Sequence, residues 1–106
     1  MNILDKIVLE KINHTKYLSQ KINKKKNFKY RKSKYFLSAI ESNLQINKNA
    51  LIAEFKRYSP SVKNFNKIKY IQEILEQYHK SKCCCLSILT DKNFGGSLND
   101  ITIAKK

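Results

Sequence analysis

Chain breakers and acids are scarce in this sequence. One proline, Pro60, and two glycines, Gly95 and Gly96, interrupt 106 residues, so nothing forces two independent domains. A hydrophobic fraction of 42% is enough for the core of one small domain. No apolar run approaches the roughly 18 to 20 residues that a membrane-spanning helix needs. The opening MNILDKIVLEKIN is amphipathic and charged rather than signal-like, which points to a cytoplasmic protein that does not engage a membrane. Against 22 basic residues stand only 8 acidic ones, for a net charge of +14, and of the basic residues only Arg31 and Arg57 are arginine.

Clustered lysines bind phosphate backbones by releasing counterions. The densest stretch, KINKKKNFKYRKSK at residues 21–34, interleaves Phe28 and Tyr30 with charge, as stacking surfaces for single strands do. The same stretch reads as a solvated linker, and the abundance of lysine, asparagine and isoleucine is what an AT-rich coding sequence gives. A small basic nucleic-acid-binding module is therefore the alternative reading rather than the leading one. Cys83, Cys84 and Cys85 are consecutive, and a strand sends alternate side chains to opposite faces, so the trio cannot converge on one metal. Adjacent cysteines also make poor disulfides. They read as small core residues in a reducing compartment.

From Asn2, placed as an N-cap, Leu4, Ile7, Val8, Ile12, Leu18 and Ile22 recur at helical spacing, with Asp5 in the first turn. After the lysine-rich stretch, KYFLSAIES predicts a second, shorter helix whose apolar face would cover the strand that follows. That strand, ALIAEFK at residues 50–56, is apolar on both faces until its end, the pattern of a parallel strand between helices. A turn at Ser59-Pro60-Ser61 leads to NKIKYIQEILEQYHKSK, where Ile68, Ile71, Ile74, Leu75 and Tyr78 mark a helical face. CCCLSIL at residues 83–89 is a second buried strand. Strand, helix, strand is a βαβ unit with an expected right-handed crossover. DKNFGGS then turns the chain, with Gly95 and Gly96 both free to take positive φ, and LNDITIAKK begins another helix.

Period-two alternation puts Ile52, Glu54 and Lys56 on one face of the first strand and Leu51, Ala53 and Phe55 on the other. The acid and the base stand together at the carboxyl end of a parallel strand, where α/β folds build their sites. An ammonium there holds a carboxylate or phosphate, and a carboxylate stabilises a developing cation or moves a proton. The same pattern also suits an ordinary ion pair at a strand end.

IAEFKRYSPS at residues 52–61 resembles the first-strand signature of the indole-3-glycerol-phosphate synthase family: Ile-Ala-Glu, a variable residue, Lys, a second base, any residue, then Ser-Pro-Ser. LSILTDKNFGGS at residues 86–97 is similar to that family's second strand and loop, the separation of the two stretches fits, and NILDKIVLEKI resembles its N-terminal helix. The chain departs from the family in having Val62-Lys63 after Ser-Pro-Ser in place of Lys-Gly, Tyr70-Ile71 in place of Asp-Pro, and a second loop one residue shorter than the commonest form.

The resemblance implies an α/β fold comprising the N-terminal portion of a (β/α)8 TIM barrel. Residues 1–48 would be a helical extension with a lysine-rich linker, and residues 49–106 the first strand, first barrel helix, second strand and start of the next helix. A complete barrel takes roughly 250 residues, so the chain is expected to be an N-terminal segment of the enzyme, from a truncated gene or a fragmentary record, and inactive alone. The implied reaction is ring closure with loss of carbon dioxide and water from an anthranilate-derived sugar phosphate, 1-(2-carboxyphenylamino)-1-deoxyribulose 5-phosphate, without metal or organic cofactor. The implied catalytic residues are Glu54, assisting ring closure, and Lys56, contacting the acidic groups of the substrate. Ser59 and Phe94 are implied substrate-binding residues, as are Ser87 and Leu89, for which a plain core role fits equally well. Two parallel strands leave open edges, so the segment alone is expected to fold poorly; a complementing C-terminal piece or self-association would cover them.

Overall fold

The computed structural model describes residues 1–22, 35–47, 49–62 and 70–106. The aromatic-and-lysine cluster at 23–34 and the expected start of the barrel helix at 66–69 lie outside them. The chain divides into two compact units, Met1–Lys32 and Ser33–Lys106, although neither proline nor glycine marks the boundary.

The described residues of the first unit form one helix, α1 (Ile3–Ile22). Its start is closed as the sequence leads one to expect: the Asp5 amide donates to Asn2 Oδ1 at 2.8 Å, and the Asn2 amide donates back to Asp5 Oδ2 at 3.1 Å. This reciprocal pair satisfies donors that the first turn leaves without helical partners. At the other end Lys21 lies in the last turn, favoured by the dipole, with its ammonium 4.6 Å from the centre of the Tyr17 ring.

The second unit runs α2 (Tyr35–Asn47), β1 (Ile52–Phe55), α3 (Ile71–Lys80), β2 (Cys85–Ile88), a 3-10 turn (Lys92–Phe94) and α4 (Asn99–Ala104). β1 and β2 are parallel, in the register Ile52 to Cys85, Ala53 to Leu86, Glu54 to Ser87 and Phe55 to Ile88. Both strands are shorter than their apolar runs, but the ladder reaches further: the Cys84 amide donates to the Leu51 carbonyl at 2.9 Å and the Leu89 amide to the Phe55 carbonyl at 3.0 Å. The expected ends are thus ladder positions with partners on one side only.

α3 forms because Ile71, Ile74, Leu75 and Tyr78 repeat at the spacing of one helical face. That face meets Phe55, and Phe55, Ile71 and Leu75 make a small core with Ile74, Tyr78, Ile88, Ile103 and Ala104 packed around it. The Tyr78 hydroxyl donates to the Glu54 carbonyl at 3.0 Å, tying helix to strand. α3 stops at Ser81, and Lys82, with φ of 59°, takes the left-handed conformation that commonly follows a helix.

Three expectations need correction. β1 is not buried on both faces: α3 and α4 cover the Phe55 side, while Ile52 on the Glu54 side is 45% exposed, and even Leu51, just before the strand on the Phe55 side, is 60% exposed. The helix α2 lies against β2 rather than principally against β1, and its Phe36 and Leu37 remain exposed. The three cysteines are free, but each is half-buried rather than in the core. The Cys83 thiol donates to the Tyr78 carbonyl and the Cys84 thiol to the Leu51 carbonyl, both at 3.2 Å, so these thiols serve as weak donors at the edge of the sheet. Partial burial and the neighbouring thiol push the Cys85 thiol above its ordinary range.

Candidate active site at the carboxyl ends of the strands

Along β1 the exposure alternates, with Phe55 enclosed and Glu54 open. Glu54 therefore projects away from α3, and Lys56 returns to meet it: the Lys56 ammonium is 2.9 Å from Glu54 Oε1, with both side chains more than a third exposed. A pair this open contributes little to stability, at most about 1 kcal/mol, so its alignment adds more to surface chemistry than to the fold. The parallel register sets Ser87 beside Glu54, and Leu89, two residues further, shares the face of Ser87. Four of the six candidate positions, Glu54, Lys56, Ser87 and Leu89, thus form one cluster on the face opposite the core.

The other two stand on the flanking turns. Ser59 opens the turn through Pro60 and Ser61, closed by the Val62 amide on the Ser59 carbonyl at 3.1 Å, and its hydroxyl lies 3.0 Å from that of Ser61. Phe94 ends the 3-10 turn, which Asp91 organises. Its carboxylate accepts from the Asn93 amide at 2.8 Å, while its carbonyl accepts from the amides of Phe94 at 3.0 Å and Gly96 at 2.9 Å. Such a side-chain-closed turn is a common use of aspartate.

The two glycines that follow have different duties. Gly95 has φ of 70°, as the sequence suggested, and a side chain there would press on Tyr58 and Arg57. Gly96 does not have positive φ; it is needed because a Cβ would fall 2.0 Å from the Leu89 carbonyl oxygen. The turn therefore lies directly on the end of β2.

Two residues outside the candidate set hold this region together. Asp100, only 2% exposed, accepts from both Arg57 terminal nitrogens, Nη1 to Oδ2 at 2.5 Å and Nη2 to Oδ1 at 2.7 Å, and from the Ser97 amide at 2.9 Å. Arg57 Nη1 also donates to the Gly95 carbonyl at 3.1 Å. The hydrogen bonds from Arg57 hold the Asp100 carboxyl below its usual range against the opposing effect of burial, and the same bonds raise Arg57. The Ser97-Leu98-Asn99-Asp100 spacing, a hydroxyl residue three before an acid at a helix start, was the available signal for Asp100. Nothing comparable marks its distant partner. Among the described residues no group of three histidine, cysteine, aspartate or glutamate side chains could hold a metal ion, and no helix is long and apolar enough to cross a membrane.

The profile of the family described as "Indole-3-glycerol phosphate synthase" matches residues 4–106. Among curated proteins, the chain is similar to the indole-3-glycerol phosphate synthase of Staphylococcus aureus (strain bovine RF122 / ET3-1), 39% identical over 100 residues, which is 92% of this chain and 37% of that protein. It is also similar to the synthase of Sulfurisphaera tokodaii, 44% identical over 62 residues, 58% of this chain and 24% of that protein. The synthase of Polynucleobacter necessarius subsp. necessarius is 35% identical over 69 residues, 65% of this chain and 26% of that protein. No solved structure matches significantly. The chain thus spans between about a quarter and somewhat over a third of the length of these relatives. With nearly all of its residues inside the family profile and its two motif-bearing strands paired in parallel, the chain belongs to the indole-3-glycerol phosphate synthase family.

Proposed function

We propose that these residues supply the first two strands of an indole-3-glycerol-phosphate synthase site, with residues 1–48 as the helical extension and linker and residues 49–106 as the opening part of the barrel. The observation that carries this reading is the shared face of Glu54, Lys56 and Ser87 at the carboxyl end of a parallel pair, the place where barrel enzymes assemble their chemistry. In the reaction that the family catalyses, the ring of 1-(2-carboxyphenylamino)-1-deoxyribulose 5-phosphate closes and carbon dioxide and water depart. Lys56 is suited to contact the substrate's anionic groups. Glu54 is suited to stabilise positive charge that develops during closure or to move a proton. Ser59, Ser87, Leu89 and Phe94 would line the site, Phe94 covering the anthranilate ring.

The family's general-acid lysine, at the end of its third strand, has no counterpart in these 106 residues. A polypeptide of these residues alone is therefore expected not to turn the substrate over, and the remaining strands must come from elsewhere. The test replaces the matching segment of the Staphylococcus aureus synthase with residues 1–106 and follows product formation. The chimera should be active, and Glu54→Gln or Lys56→Met should each lower kcat/KM by about 100-fold or more. A chimera that folds but forms no product, or that works unchanged with Gln at position 54, would refute the assignment.

A further inference from the structure

Asp100 is the only charged side chain enclosed among the described residues. Capping α4 explains one of its bonds, that from the Ser97 amide. It does not explain a two-pronged guanidinium reaching it from the end of β1, 43 residues earlier. A buried carboxylate persists where its oxygens are paired and hydrogen-bonded, and here the partner is built into the strand that carries the candidate site. Arg57 lies over the Phe55 ring, 5.4 Å from its centre, on the side of the strand away from the Glu54–Lys56 pair. Fixing Arg57 thus fixes the backbone from which Lys56 projects the other way. The same guanidinium holds the carbonyl of Gly95, the residue after Phe94.

We propose that Arg57 and Asp100 are positioning residues: the pair pins the end of β1 to the 92–97 turn and so sets Lys56 and Phe94 in register with each other. Its value to catalysis rests on the reading of the site given above, but the coupling itself is physical and is tested without turnover. Fork geometry is essential to it, because an ammonium at position 57 cannot bridge both carboxylate oxygens and the Gly95 carbonyl together.

The test compares the 106-residue chain with Asp100→Asn, Arg57→Met and Arg57→Lys, using amide hydrogen exchange and competitive acetylation of lysines, with the exposed Lys80 as internal reference. In all three variants exchange at Asn93–Ser97 should rise by about tenfold or more while α3 stays within about twofold. Labelling of Lys56, which is now partly shielded beside Glu54, should rise about threefold relative to Lys80. Arg57→Lys should give no rescue. A rise confined to Ser97–Ile101 with Lys56 unchanged would make Asp100 a plain helix cap and overturn the proposal, as would full rescue by Arg57→Lys. If Asp100→Asn unfolds the chain, the milder Arg57→Lys decides, and a uniform rise there too would make the pair a general stability element and likewise overturn it. An inactive chimera together with this local loosening would sink the assigned chemistry and leave the coupling standing.

Discussion

Replacing Phe55 by alanine should remove most of what holds the second unit together. The ring is 1% exposed and sits at the centre of the small core, against Ile71 and Leu75. Truncation of a buried phenylalanine costs about 3 to 5 kcal/mol, and the half-exposed neighbours Ile74, Tyr78 and Ile103 can partly close the gap, so about 3 kcal/mol is expected. With a urea slope of about 1.5 kcal/mol/M for a domain of this size, that is a midpoint shift of about 2 M. Urea unfolding followed by far-ultraviolet circular dichroism, in trimethylamine N-oxide to raise the baseline stability, measures it directly. The control is Ile52→Ala, on the opposite face of the same strand and 45% exposed, which should cost no more than about 1 kcal/mol. Equal shifts for the two variants would mean that the helix-covered side of β1 is not the side that stabilises it, and the placement of Glu54 on the opposite face would fall with it.

Two further predictions concern the loop end of the strands. Because hydrogen bonds from Arg57 depress the Asp100 carboxyl, its contribution to stability is complete above the unfolded value of about 3.9 and is lost as pH falls through the lower native value. The urea midpoint of the natural chain should therefore drop below about pH 4 more steeply than that of Asp100→Asn, and identical acid limbs would count against the pair. Gly96→Ala, which would drive a methyl group into the Leu89 and Thr90 backbone, should cost about 3 kcal/mol. Gly95→Ala meets side chains and a positive φ and should cost nearer 1 to 2 kcal/mol, so the reverse order in urea unfolding would show that the turn does not rest on β2.

Much of this organisation was legible in the residues. The cap at Asn2 and Asp5, the helical face of Ile71, Ile74, Leu75 and Tyr78, and the alternation that separates Glu54 from Phe55 are local patterns set by helix and strand periodicity. Burial was read less well. A wholly apolar run such as ALIA implies cover on both sides, but cover depends on how many elements pack nearby: α3 and α4 pack on the Phe55 side of β1, and Ile52 on the other side stays 45% exposed. The cysteines failed as core residues for the same reason. Arg57 and Asp100 were missed because their pairing joins positions far apart in the chain, and no local spacing announces such a contact. The Gly95-Gly96 pair suggests a conformational role for both residues, but that of Gly96 is steric, a distinction visible only with the Leu89 carbonyl beside it.

The opposed faces of β1 have a consequence for how this segment can change over evolutionary time. Phe55 answers to the helices and Glu54 to whatever lies beyond the sheet, so neighbouring codons are under unrelated selection. Substitutions at Ile52, Glu54 or Ser87 can accumulate with little loss of folding free energy, and the open face of the sheet can change while the small core beneath it stays as it is.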